Sequence, residues 1–225
     1  MILNACGVVL GRRDWGEADS LATLYTESLG KLAVRFAGVK KPGRKLKALC
    51  EPMTWGEYRL YLSPRSEMAK AVGGRILSSF PGIRSDLSRT MSALSCLEFL
   101  AQLAPERSPN AGKYRLLVRA LSALEASPSP WLETAYALRL LELSGYSLRG
   151  RAPEGGRFWE ALHSLDLGEL SGLPWNDQAR LYQSLAQRHA EEQASRPFKA
   201  AAFRERLRSW AREALPAVGQ EGACR

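Results

Sequence analysis

Hydrophobic and polar positions alternate through the first third of the chain, and the period then lengthens. In residues 31–39, Leu32, Val34 and Phe36 alternate with Lys31, Ala33 and Arg35, the two-residue period of a half-buried strand. Residues 5–12 and 20–27 are short, β-branched and apolar. Residues 53–62 alternate again, with Trp55, Tyr58, Leu60 and Leu62 on mixed faces. Residues 67–78 read as a fifth strand bent or bulged at Gly73-Gly74. Five short strands with a long connection after the third predict a small closed or partly open barrel, for which the oligonucleotide-binding (OB) fold is the leading form.

From Pro81-Gly82 onward the spacing becomes helical. Leu87, Met91, Leu94 and Leu97 recur three or four residues apart, so they share one helix face. Ser85 is the predicted cap, with Asp86 in the first turn, and Pro105 ends the helix. Further helices are predicted over 110–126, 130–144 (stopping at Gly145), 157–165, 176–194 and 196–214, with a loop over 149–157 and a frayed tail over 216–225. The expected class is α+β: an OB-fold β-barrel over residues 1–80 followed by an all-α helical domain over 81–225.

Composition makes this picture specific. The 225 residues are 45% hydrophobic and 24% charged, enough apolar material for a core. No run approaches the ~18 apolar residues of a membrane span. The N-terminus has no basic lead before an apolar run, so a cytoplasmic protein is expected. Lys and Arg number 32 against 23 Asp and Glu, a formal charge of +9. Residues 1–80 hold thirteen of the cations and seven of the acids, hence +6. Lys31, Arg35, Lys40, Lys41, Arg44, Lys45 and Lys47 fall between Glu27 and Glu51 with no acid among them. Such cations repel one another unless an anion lies nearby, and the excess points to a polyanionic partner.

Several chemistries are excluded. There is no Gly-x-x-x-x-Gly-Lys-Ser/Thr loop, no Gly-x-Gly-x-x-Gly, no Gly-x-Ser-x-Gly and no His-Glu-x-x-His. Cys6, Cys50, Cys96 and Cys224 are scattered, and only His163 and His189 could assist them. No metal and no cofactor is therefore expected. Asp14, Glu17 and Asp19 are the one carboxylate group that could hold Mg²⁺ for a nuclease, but turn acids between strands are mostly structural.

Taken together, several segments resemble the RecO family of bacterial recombination mediators. They are Asp14-Trp15-Gly16-Glu17-Ala18-Asp19, Thr23-Leu24-Tyr25-Thr26-Glu27, Gly30-Lys31-Leu32, Ala37-Gly38-Val39-Lys40-Lys41 and Leu49-Cys50-Glu51-Pro52-Met53-Thr54, then residues 79–87 and Ser195-Arg196-Pro197-Phe198-Lys199-Ala200. No single piece is a strong motif; their order and spacing carry the likeness. The resemblance implies an OB barrel with a helical C-terminal domain and a non-enzymatic role in DNA repair and recombination. That role is binding single- and double-stranded DNA, annealing complementary strands, and helping RecR, RecF and the single-stranded-DNA-binding protein place RecA. It also implies a nucleoid-associated cytoplasmic location and no membrane partner.

Two departures stand out. Many relatives carry a four-cysteine zinc module after the helix that ends near Tyr146, whereas residues 144–156 here contain no cysteine, so the zinc module is expected to be absent. Where relatives show Arg-Arg-Phe-Glu, this chain has Thr134-Ala135-Tyr136-Ala137. Arg139 is the remaining candidate to receive the acidic tail of the single-stranded-DNA-binding protein.

Lysine and arginine would supply sequence-independent affinity through phosphate contacts, and exposed aromatic rings would add base stacking. The expected DNA contacts are Lys31, Arg35, Lys40, Lys41, Arg44, Lys45 and Lys47, with Arg12, Arg13 and Arg75 ranked below them. Among Phe36, Trp55, Tyr58 and Tyr61 the barrel core is the ordinary role, and Trp15 in its turn is the better stacking candidate. The alternative is an adaptor whose basic patch binds acidic protein tails, with DNA contact incidental.

Overall fold

The computed structural model describes residues 1–41, 43, 46–64, 66–153, 158–174, 178–194, 196–200, 202, 203 and 206. Five strands, β1 (Ile2–Trp15), β2 (Asp19–Thr26), β3 (Gly30–Phe36), β4 (Trp55–Tyr61) and β5 (Ala69–Ser78), close into a barrel in the order β1-β2-β3-β5-β4. All neighbours are antiparallel except β3 and β5, which run parallel. This is the OB topology.

The apolar half of each alternation fills the barrel. Leu32, Val34 and Phe36 are buried with Val9, Leu24, Tyr58 and Leu60, and Phe36 meets Tyr58 edge-on at 6.4 Å. The irregularity expected at Gly73-Gly74 is a register shift: Arg59 faces Gly73 while Leu60 faces Ala71. Gly74 lies so close to β4 that a Cβ there would stand 2.5 Å from the Glu57 carbonyl oxygen.

The helices are α1 (Pro81–Arg84), α2 (Leu87–Leu103), α3 (Ala111–Ala126), α4 (Leu132–Leu143), α5 (Trp159–Ser164) and α6 (Gln178–Gln193). Lys199, Ala200, Ala202, Phe203 and Arg206 are also helical, and the rest of the helix expected over 196–214 lies largely outside the described residues. Asp86, not Ser85, caps α2: its carboxylate accepts the Arg89 N–H at 2.9 Å. The cause is backbone conformation. Ser85 is still right-handed helical at the end of α1, whereas Asp86 is extended, as an N-cap must be. Between α4 and α5 the Trp159 indole donates to the Arg149 carbonyl at 3.1 Å, and Arg149 pairs with Glu142 at 3.4 Å.

Barrel and helices share a seam. Val8, Leu10, Tyr25, Met53 and Phe80 of the barrel side are buried in one cluster with Ile83, Leu97, Leu100 and Leu117. The Trp55 indole donates to the Tyr114 hydroxyl at 2.9 Å. The α2–α3 connection runs beside the start of β3, where the Arg107 N–H donates to the Lys31 carbonyl at 2.8 Å. Gly30 is required there twice over: its φ is +69°, and a Cβ would stand 2.5 Å from the Ser108 backbone. No described helix is long and apolar enough to cross a membrane.

Candidate nucleic-acid interface

The tip of the β1–β2 hairpin and the connection after β3 meet at one end of the barrel. The Lys40 N–H donates to the Ala18 carbonyl at 3.0 Å. Its Nζ donates to the Gly16 carbonyl at 3.0 Å and pairs with Asp14 at 3.2 Å. Asp19 fixes the same junction. Its Oδ1 accepts the Gly38 N–H at 2.7 Å, and its Oδ2 takes the Arg35 guanidinium at 2.7 Å from Nε and 2.6 Å from Nη2. The Gly38 N–H first, and then Arg35, hold the Asp19 carboxyl below its usual range. Part of the cation run that has no acid beside it in sequence is therefore matched in space by acids on another strand.

The expected contacts divide accordingly. Lys40, Lys41 and Lys47 are exposed, and Lys41 and Lys47 form no ion pair among the described residues. Arg44 and Lys45 lie outside the described residues. Arg35 is exposed but engaged by Asp19. Arg12 pairs with Glu51 at 2.5 Å, and Arg13 sits over the Trp15 ring, 5.7 Å from its centre. Arg75 grips Glu57 at 2.6 Å and depresses that carboxyl. Lys31 lies apart from this group, at the seam with the helices. Its side chain is 12% exposed, pairs with Glu106 at 3.4 Å and donates to the Ala101 carbonyl at 2.7 Å, so it ties the barrel to the helices.

Among the aromatic candidates, Phe36 and Tyr58 are fully buried and Trp55 belongs to the seam. Trp15 is 39% exposed and lies under the Arg13 guanidinium, in the same hairpin whose Asp14 and Gly16 hold Lys40. Asp14 and Asp19 are committed to Lys40 and Arg35. No group of three metal-binding side chains gathers among the described residues.

A groove of about 420 Å³ opens on the outer face of β1–β3, beyond the helices. Its floor is made of small residues, since Thr23 faces both Gly11 and Ala33 across the sheet. Adjacent residues on a regular strand point to opposite sides, yet Arg12 and Arg13 both border this groove. They follow a register shift between Val9 and Gly11. Arg196, at the far end of the chain, borders it too. In the sequence Arg196 stands out only as part of the segment 195–200 that carries the family likeness; nothing local links it to the barrel.

A second groove, of about 530 Å³, lies among α3, α4 and α5 and is lined by Arg115, Leu116, Arg119, Leu143 and Leu165. Arg139 borders it, but its guanidinium donates to the carbonyls of Leu162, at 2.8 Å, and Leu165. Burial lowers the Arg139 pKa. Its charge therefore closes the end of α5 more than it faces a partner.

Residues 1–80 match the family model described as Recombination protein O N terminal, and residues 84–152 match Recombination protein O C terminal. A protein of Exiguobacterium sp. called DNA repair protein RecO is 34% identical over 137 residues, 60% of this chain and 54% of that protein. The protein of the same name from Bacillus subtilis is 29% identical over 130 residues, 58% of this chain and 50% of that protein. The one from Salinibacter ruber is 29% identical over 123 residues, 55% and 47% respectively. The chain thus spans about half the length of the curated relatives it matches.

Proposed function

The chain belongs to the RecO family, and from that premise we propose that it acts in DNA repair and recombination by holding DNA strands on the basic end of its barrel. The observation that carries this reading is the moored junction at Lys40. It fixes the start of the basic connection against the hairpin tip and gathers Arg13, Trp15, Lys40 and Lys41 at one end of an OB barrel. A surface of this kind binds single and double strands without reading sequence, because the affinity comes from phosphates and stacking. Bringing two complementary strands to it screens their repulsion and raises their local concentration, which suffices for annealing without a catalytic group. The family reading extends to work beside RecR, RecF and the single-stranded-DNA-binding protein in loading RecA, in the cytoplasm at the nucleoid.

The test is a salt-titrated binding assay with single- and double-stranded DNA of unrelated sequences, followed by annealing of labelled complements without nucleotide or Mg²⁺. The reading expects steep salt dependence on every sequence and annealing that tracks binding. Strand cleavage that appears with Mg²⁺ would favour the nuclease reading of Asp14, Glu17 and Asp19.

The adaptor reading keeps one specific support, the groove among α3, α4 and α5. Arg115 stands there beside Leu116, Leu143 and Leu165, while Arg119 pairs with Asp166 at 3.8 Å and Glu142 also lines the groove, so Arg115 and the leucines are what would receive the acidic and apolar ends of a short peptide. An acidic-tail peptide that binds at this groove while DNA stays bound would place the two partners on separate surfaces.

A further inference from the structure

The segment after α6 turns back across the helices. Phe198 is buried against Phe99, edge-on with ring centres 4.7 Å apart. The N–H groups of Lys199 and Ala200 donate to the two carboxylate oxygens of Glu98 at 2.7 and 2.8 Å. Pro197 fixes its own φ and has no N–H to satisfy. Glu98 on α2 and the Phe99–Phe198 contact thus clamp the chain just beyond Arg196, which is exposed and borders the barrel groove with Arg12 and Arg13.

Three guanidinium-bearing side chains around one groove repel one another. Arg12 is neutralised by Glu51, while among the described residues no carboxylate pairs with Arg13 or Arg196. The floor of Gly11, Thr23 and Ala33 lets a ligand come close to the sheet. The one large apolar side chain at the groove, Leu21, is itself buried, so the groove offers no deep pocket for the bulky apolar anchor that a protein tail would bring. It has forked donors of the geometry that phosphate oxygens accept.

We propose that Arg196 completes a phosphate-binding groove on the outer face of β1–β3, so that the site for a nucleic-acid strand is shared between the barrel and the C-terminal segment clamped by Glu98. The proposal rests on the nucleic-acid reading above and adds a residue and a surface to it. The groove holds the sugar–phosphate backbone, and bases stack elsewhere, beside Trp15.

The experiment measures fluorescence anisotropy of a labelled oligothymidylate with the full chain across a series of salt concentrations. Arg196→Ala is compared with Glu98→Gln and with Lys199→Ala, a nearby cation that does not border the groove. Arg196→Ala is expected to weaken binding several-fold and to reduce the salt slope by about 0.7, one single-strand phosphate contact. Glu98→Gln removes a negative charge, so long-range attraction alone would tighten binding. A groove organised by the clamp instead loses several-fold affinity with Arg196 still present. Lys199→Ala should bind as the parent does.

If the parent binds with a steep salt dependence while Arg196→Ala and Glu98→Gln match it, the shared groove is wrong and the barrel-end reading stands. A parent that shows no salt-dependent binding overturns both. Competition by an oligoglutamate peptide as effective as unlabelled oligothymidylate would assign the groove to an acidic protein and overturn the proposal.

Discussion

Lys31 reaches across the seam and donates from Nζ to the main-chain carbonyl of Ala101 at 2.7 Å. This bond joins β3 to α2 with a charge that the cation pattern alone assigns to DNA. Replacing Lys31 with Met keeps the aliphatic stem but leaves the carbonyl without its donor. The expected loss of stability is about 1.5–3 kcal/mol, the range for a hydrogen bond to a charged group. The exposed Glu106 partner adds little to this. Urea unfolding should show the loss, while the salt slope of DNA binding stays unchanged. A flattened slope without loss of stability would return Lys31 to the DNA surface.

Arg139 makes a parallel case in the helices. Its guanidinium satisfies the Leu162 and Leu165 carbonyls at the end of α5. Arg139→Ala should therefore lower the thermal midpoint, whereas Arg115→Ala on the same groove should not. Binding of an acidic-tail peptide should respond to Arg115→Ala with the fold intact. An unaltered melting curve for Arg139→Ala would show that its charge is available to a partner.

His163 sets a pH dependence. It is buried on α5, with Nδ1 at 3.4 Å from Glu142 and no partner for Nε2 among the described residues. Burial lowers its pKa below 6.5 even though Glu142 and Glu160 pull the other way, and Arg149 adds to the lowering. The unfolded chain therefore takes up the proton first as pH falls. Stability is complete above about 6.5 and declines as pH drops toward the lower folded value. Urea midpoints measured from pH 7.5 to 5.5 should fall for the parent and flatten for His163→Gln. A midpoint that rises on acidification would mean that pairing with Glu142 outweighs burial.

Much of the fold is legible in the sequence because each signal is local. The alternation of Leu32, Val34 and Phe36 is a strand whichever residues it later faces, and Pro81-Gly82 marks the change of period. The candidate site is legible only in part, because compensation is a property of space. Asp19 lies on another strand from Arg35, and Ala101 is far along the chain from Lys31; no window of sequence places them together. Strand alternation likewise separates Arg12 from Arg13, yet both border one groove. Arg196 reaches that groove through Glu98 and Phe99, neighbours that no local spacing announces.

The central claim is that the basic connection after β3 holds DNA phosphates, and the most direct measurement is the slope of log affinity against log salt for a single strand. Lys41, Arg44, Lys45 and Lys47 are replaced together by Ala, leaving Lys40 and its mooring to Asp14 and Gly16 in place. Binding should weaken on every sequence and the slope should become shallower by about 0.7 for each phosphate that is no longer neutralised, with the thermal unfolding transition preserved. An unchanged slope with an intact transition would contradict the claim, because the four cations would then be solvated and the strand held elsewhere.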